Sequence, residues 1–233
     1  MGILQSLPQI VTAIGGLGTA AFGLVDSTKV LGGGVNRIGF GRISTTVSKL
    51  TQGAAATGLT QGKIVDTLRA NWYNGTDLSS QKAIAKSLIK VGLNASNAPA
   101  LAAATGIDAG VLSAIAASIG TGTPLTAPQT DAFSRFDFVL TALLDEVYQD
   151  SDQAYTNGTR ILASIFAVVL ALIGGWTLFA NAHGADASAV YWGTSDMWMA
   201  FVAGILATPL APIAKDVSSA LAAAVNTMQA IKK

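Results

Sequence analysis

The chain contains no cysteine, which removes disulfide frameworks, thiolate nucleophiles and Cys-ligated zinc or iron-sulfur sites together. Histidine is almost as scarce, with His183 alone, and only 12% of the 233 residues are charged against 51% hydrophobic. A water-soluble domain of this length needs more polar surface than that, so the composition points to an integral membrane protein. The net charge of +1 argues against a nucleic-acid partner, which requires many phosphate contacts. The most informative shortage is local: the 54 residues between Arg160 and Lys215 contain no Lys or Arg.

Three stretches are apolar enough to cross a bilayer, which takes about 20 helical residues. Ile161 to Ala182 has no ionisable group in a core of Ile, Leu, Ala, Phe and Val. Met197 to Ala214 carries Pro209 and Pro212, expected to cut or bend a helix unless the freed carbonyls find other partners. Gln9 to Val25 follows Pro8, a good first-turn residue, and ends at Asp26 and Lys29. It lacks the basic n-region of a secretory signal and reads as a span.

Basic residues are retained on the cytoplasmic side of a membrane. Eleven of the 14 lie from Lys29 to Arg160, none between the second and third spans, and three after the third, at Lys215, Lys232 and Lys233. The expected path is therefore N-terminus outside, a domain inside, a short loop outside and a cytoplasmic tail. Trp176, Tyr191, Trp192 and Trp198 fall at the outer boundary, as an aromatic belt does.

The expected fold class is all-α, with three transmembrane helices and a helical cytoplasmic domain. Residues 1–29 form the first span and its flank, 30–50 a Gly-rich interfacial segment, 51–160 the domain, 161–182 the second span, 183–196 an outer loop, and 197–233 the third span and tail. Within the domain, helices are expected over Gly62 to Trp72 and Ser79 to Val91, the second capped by Ser79 or Ser80. Two shorter ones follow near Ala98 to Ala104 and Asp108 to Ile119. From Thr126 the chain has no Gly before Gly158 and, after Pro128, no Pro before Pro209, so one helix is expected to continue into the second span. Gln129 to Ala182 unbroken would measure about 80 Å. Phe133, Phe136, Leu140, Leu143 and Val147 recur at the three-four spacing of a packing seam.

Several local patterns weaken when their chemistry is checked. Leu101-Ala102, Gly106-Ile107-Asp108 and Leu112-Ser113 have helix-turn-helix spacing, but no Lys or Arg lies between Lys90 and Arg135 to hold phosphate; an apolar helix pair inside the domain is expected. Gly32-Gly33-Gly34 lacks the Gly-Lys-Ser/Thr of a nucleotide loop. Val35, Ile38, Ile43 and Val47 interleave with Arg37, Arg42 and Lys49, as in a segment lying at headgroups. His183 with Asp186 supplies too few ligands for a metal site. Asn74-Gly75-Thr76, Asn94-Ala95-Ser96 and Asn157-Gly158-Thr159 match the glycosylation pattern on the wrong side of the membrane.

Three sets of residues remain as candidates. Gly15, Thr19 and Gly23, together with Gly16 and Ala20, place small side chains four apart in the first span, where close backbone approach drives helix association in lipid. Ala207, Ala211, Ala214, Ala220, Ala222, Ala223 and Ala224 extend that character into the tail. Lys82, Lys86 and Lys90 form a stripe at helical spacing, expected as a solvated face or a contact to anionic headgroups. Asp145, Glu146, Asp150 and Asp152 are acidic residues below the second span, a solvated face in one copy and a cation vestibule in a ring of copies.

The tail sequence Thr208-Pro209-Leu210-Ala211-Pro212-Ile213-Ala214-Lys215-Asp216 resembles a motif of uncharacterised bacterial inner-membrane proteins, with similarity over most residues from about 59 onward. The resemblance implies a bacterial inner-membrane setting and brings no activity, cofactor or site residue. A non-enzymatic homo-oligomeric scaffold or anchor holding a helical domain at the bilayer fits these features with fewest additions; the alternative is a homo-oligomeric cation pore. Lipid and further copies of the chain are the expected partners, with a cytoplasmic protein partner open and no cofactor expected.

Overall fold

Helix is the local state nearly everywhere because apolar residues recur at intervals of three and four, separated by Gly, Asn and Pro stops. The computed structural model describes residues 3–30, 32–54, 58–184 and 189–231, with side-chain surroundings for those between 10 and 213. It is 83% helical, and no strand occurs among the described residues. In chain order the helices are α1 (Ile3–Thr28), α2 (Asn36–Leu50), α3 (Gln61–Tyr73), α4 (Leu78–Val91), α5 (Ala98–Thr105), α6 (Ala109–Thr121), α7 (Ala127–His183) and α8 (Ser195–Ile231), with a 3-10 turn at Tyr191–Gly193 before α8. Three of them, α1, α7 and α8, are long and apolar enough to cross a membrane.

The chain divides into two compact units, one of residues 36–155 and one combining residues 1–35 with 156–233. Helix α7, 57 residues long, contributes its first half to the former and its second half to the latter.

The unit of residues 36–155 is built on a single apolar core. Phe40, Ile43, Val47 and Leu50 of α2, Ile64 and Leu68 of α3, Ala85 and Ile89 of α4, Leu101 of α5, Leu112 and Ile115 of α6, and Phe136, Leu140, Leu144 and Tyr148 of α7 are all buried in it. The unit therefore starts at Asn36, earlier than the expected boundary at residue 51. Of the residues expected against headgroups, Val35 is buried and Ile43 and Val47 are covered by protein on a face shared with Phe40 and Leu50, whereas Ile38 is exposed. On α7 the seam also differs by one position. Leu144 is fully buried while Leu143 is only half-buried, and the row continues through Val147, Tyr148 and Ser151.

Caps follow the residue chemistry. Thr60 accepts from the backbone N–H of Lys63, and Asp108 does the same for Val111 at 2.9 Å. Asp77, not Ser79 or Ser80, caps α4: its carboxylate accepts the Ser80 N–H at 2.9 Å and the Ser79 hydroxyl at 2.6 Å. Asp and Ser cap equally well, and Asp77 is the one placed to reach the third helical N–H. Bonds from Ser79 and Ser80 hold the Asp77 carboxyl well below the usual carboxylate range.

In the other unit, α8 continues through Pro209 and Pro212 to Ile231, so of the two outcomes expected of the prolines, cutting or bending, the helix is not cut. Each removes one N–H donor and leaves a carbonyl of the preceding turn without its helical partner. Beside them, the Ser164 hydroxyl of α7 donates to that of Thr208 at 3.2 Å, tying the two helices at this level.

Candidate functional site

Small side chains meet at the centre of the unit that holds the spans. Ala21 of α1, Ala167 of α7 and Ala207 of α8 are fully buried and form one cluster. On α7 they belong to a row at four-residue stride, Ala163, Ala167, Ala171 and Gly175, of which the three alanines are buried. Helices pressed together without a hydrophobic driving force rely on such rows, because only small side chains allow close backbone approach.

The glycines fix how close that approach is. A Cβ at Gly18 would lie 3.0 Å from the Ala211 Cβ and would collide outright with the Ala207 carbonyl oxygen. A Cβ at Gly204 would lie 2.6 Å from the Val168 Cα. At Gly175 it would meet the Tyr191 hydroxyl and lie 2.9 Å from the Ala200 Cβ. Tyr191, expected at the outer boundary, is fully buried by this contact, whereas Trp176, Trp192 and Trp198 are exposed. Its ring also packs on Phe179 at 5.6 Å.

The small residues singled out in the first span divide between two faces. Gly15 is buried with Gly18, Ala21 and Val25. Gly16, Thr19, Ala20 and Gly23 are exposed, and a Cβ at Gly16 or Gly23 would meet nothing within 4 Å. The Thr19 hydroxyl is satisfied within the helix by the Gly15 carbonyl at 3.0 Å, so this face asks for no polar partner. Gly18, Gly175 and Gly204, which make these close contacts between spans, are absent from the sequence-derived set; for Gly175 the four-residue row on α7 is the signal that leads to it. In the tail, Ala207 and Ala211 are buried, while the surroundings of Ala214, Ala220, Ala222, Ala223 and Ala224 lie outside the described residues.

In the unit of residues 36–155 the lysine stripe of α4 has a protein partner. Lys82 Nζ donates to Asp145 at 2.5 Å, Lys86 Nζ to Asp137 at 3.1 Å and to the Thr141 hydroxyl at 3.2 Å, and Lys90 Nζ to the other Asp137 oxygen at 2.9 Å. The stripe expected as a solvated or headgroup-facing surface is thus turned onto α7. The reason is register: Asp137, Thr141 and Asp145 repeat every four residues, as do the lysines. Lys90 chiefly, and Lys86 with it, hold the Asp137 carboxyl below the usual range against an opposing effect of burial. With all these groups about one-quarter to one-half exposed, each pair adds at most about 1 kcal/mol.

Two of the four acids considered for a cation vestibule are likewise tied within the chain. Asp145 holds Lys82, and Asp150 accepts from Arg42 of α2 at 3.2 Å. Glu146 is exposed and lines a groove with Arg42, Thr45 and Asp150; Asp152 is half-buried. Behind them the Tyr148 and Ser151 hydroxyls are buried without a hydrogen-bond partner, and burial pushes the Tyr148 hydroxyl well above its ordinary range.

His183 stacks on Phe179 at 4.3 Å, with Nδ1 lying 3.2 Å from the Phe179 carbonyl; Asp186, its suggested companion, lies outside the described residues. Among the described residues, no group of three or more His, Cys, Asp or Glu side chains gathers as a metal site would. The helix-turn-helix spacing corresponds to α5 and α6, whose Leu101, Ala102, Leu112, Ile115 and Ala116 are buried in the core. No family model, curated protein or solved structure matches the chain.

Proposed function

We propose that the chain is a non-enzymatic, homo-oligomeric membrane scaffold. It presents the helical unit of residues 36–155 on the cytoplasmic side of a bacterial inner membrane, with its N-terminus outside and its C-terminus inside. The observation that carries this reading is α7: one helix supplies core residues to the helical unit and, without an intervening loop, the apolar stretch of the second span. A helix shared in this way anchors a domain to lipid, as an anchoring role requires. The charge asymmetry around the spans supports the orientation. The open face of Gly16, Thr19, Ala20 and Gly23 supports self-association, because it leaves on α1 a second surface of the kind that packs helices in lipid.

Three measurements test it. Gly16→Leu with Gly23→Leu is expected to lower the native mass of the protein in mild detergent by at least one protomer and to leave its helix content unchanged, since both positions open onto empty space. An unchanged mass removes the assembly face. Because the chain has no cysteine, single cysteines report topology without background. A cysteine replacing the exposed Ser87 is expected to react with a membrane-impermeant maleimide only after cells are opened, and one replacing the exposed Gly193 is expected to react in intact cells. The reverse pattern inverts the orientation and ends the cytoplasmic scaffold. Conductance by the reconstituted protein that falls when Asp145, Asp150 and Asp152 are neutralised would replace the scaffold with a cation pore.

A further inference from the structure

Along the second span, α7 and α8 leave a groove of about 500 Å³ whose lining includes Arg160, Ile161, Ile165, Val168, Val169 and Phe201. That volume is within the range of small-molecule sites. Two features of the lining identify an occupant. Its walls are aliphatic and aromatic apart from Ser164, whose hydroxyl bonds Thr208, and its only charged residue is Arg160, at one end, with no carboxylate among the lining residues to neutralise it. From Arg160 to Val169 α7 rises about 14 Å, close to half of the roughly 30 Å hydrocarbon layer. The groove therefore has the length of one leaflet, with its cation at the headgroup level and its apolar floor below.

We propose that this groove binds one anionic phospholipid, the phosphate on the Arg160 guanidinium and an acyl chain along Ile161, Ile165 and Val169. The charge complementarity selects the headgroup. A zwitterionic lipid brings its own cation to the phosphate, whereas an anionic one leaves net negative charge for Arg160 to offset. The guanidinium fork matches two phosphate oxygens at once. Ile161, Ile165 and Val169 are exposed within the chain, so an acyl chain reaches them without displacing a helix. The inference requires α7 in a bilayer and is independent of the scaffold role and of which leaflet Arg160 occupies.

The test uses the full-length protein in nanodiscs of mixed dioleoylphosphatidylglycerol and dioleoylphosphatidylcholine, transferred to detergent and weighed by native mass spectrometry. Wild type is expected to retain phosphatidylglycerol in preference to phosphatidylcholine. Arg160→Gln is expected to lower that retention about fivefold, the effect of removing one interfacial cation, and Arg160→Lys to fall between. Lys49→Gln removes one positive charge elsewhere and is expected to change nothing. Val169→Trp fills the floor and is expected to release the lipid with Arg160 intact. Wild-type retention by Arg160→Gln, equal loss in Lys49→Gln, or equal retention of the two lipids overturns the site. Should Arg160→Gln fail to fold, retention by Val169→Trp decides alone. A drop in oligomer mass in Val169→Trp with no lipid retained by wild type would assign the groove to a second copy and overturn the proposal. A fall in oligomer mass confined to Gly16→Leu with Gly23→Leu bears on the scaffold and leaves the lipid site intact.

Discussion

Gly18→Ala is expected to destabilise the packing of α1 on α8 by about 3 kcal/mol, the upper end of the cost of forcing a methyl group into a filled site. The added Cβ would overlap the Ala207 carbonyl oxygen and come within 3.0 Å of the Ala211 Cβ. The first of these is backbone, so no rotamer change relieves it and the helices themselves must part. Helix propensity works in the opposite direction, since Ala is favoured over Gly in a helix interior by about 1 kcal/mol; the steric term is larger and sets the sign. Gly204→Ala is expected to behave alike, its Cβ falling 2.6 Å from the Val168 Cα. Gly16→Ala and Gly23→Ala, with open space at both positions, keep only the propensity gain and are expected to be neutral or slightly stabilising. Thermal unfolding in one detergent, with a disulfide trap between cysteines placed in α1 and α8, reads both pairs. Equal melting temperatures for Gly18→Ala and Gly16→Ala would dismiss the buried seam.

That contrast marks where the sequence was legible. The apolar content of the spans, the continuity of α7 and the all-α class are properties of composition and of the spacing of helix breakers, and both can be read along one chain. Which side of a span faces protein is a property of the neighbours. In α1 the small residues are so frequent that two faces carry them at helical spacings of three and four, 16, 19, 20 and 23 as well as 15, 18 and 21. Only the position of Ala207 on α8 separates them. The α7 row of Ala163, Ala167, Ala171 and Gly175 was readable in principle, because apart from Ser164 and Gly174 beside it the small residues of this stretch keep a four-residue stride among Ile, Leu, Val and Phe.

The charged candidates were harder for a related reason. A lysine at every fourth position of α4 looks the same whether it faces water, headgroups or a carboxylate. The matching four-residue repeat of Asp137, Thr141 and Asp145 lies at least 47 residues further along the chain, and register across such a distance is set by the fold. The groove at Arg160 has no signature in the sequence at all. It arises from the spacing of α7 and α8, which the small residues on their facing sides determine.

Trp72→Ala is expected to cost the helical unit about 3–5 kcal/mol, the usual range for removing a large buried aromatic, a large fraction of the roughly 5–15 kcal/mol that holds an ordinary domain folded. Trp72 is 9% exposed, donates Nε1–H to the Asn36 carbonyl at 2.8 Å and meets Tyr155 edge-on at 6.1 Å. Its ring edge also lies over Gly39, where a Cβ would come 2.5 Å from Trp72 Cζ2 and 2.5 Å from the Ser151 carbonyl oxygen. One indole thus joins the first turn of α2 to α7, and Gly39 is the space that lets it. Gly39→Ala should therefore be destabilising by about 2 kcal/mol despite its gain in helix propensity. The two changes are expected to couple. In a Trp72→Phe background the shorter ring vacates the Cζ2 position, so Gly39→Ala should cost less than in wild type, yet not nothing, because the Ser151 oxygen is backbone and stays. Urea unfolding of the four proteins, followed by helix content, gives the coupling directly. Strict additivity would mean that Trp72 and Gly39 act through separate contacts, and that the junction of α2 with α7 rests on something other than this ring.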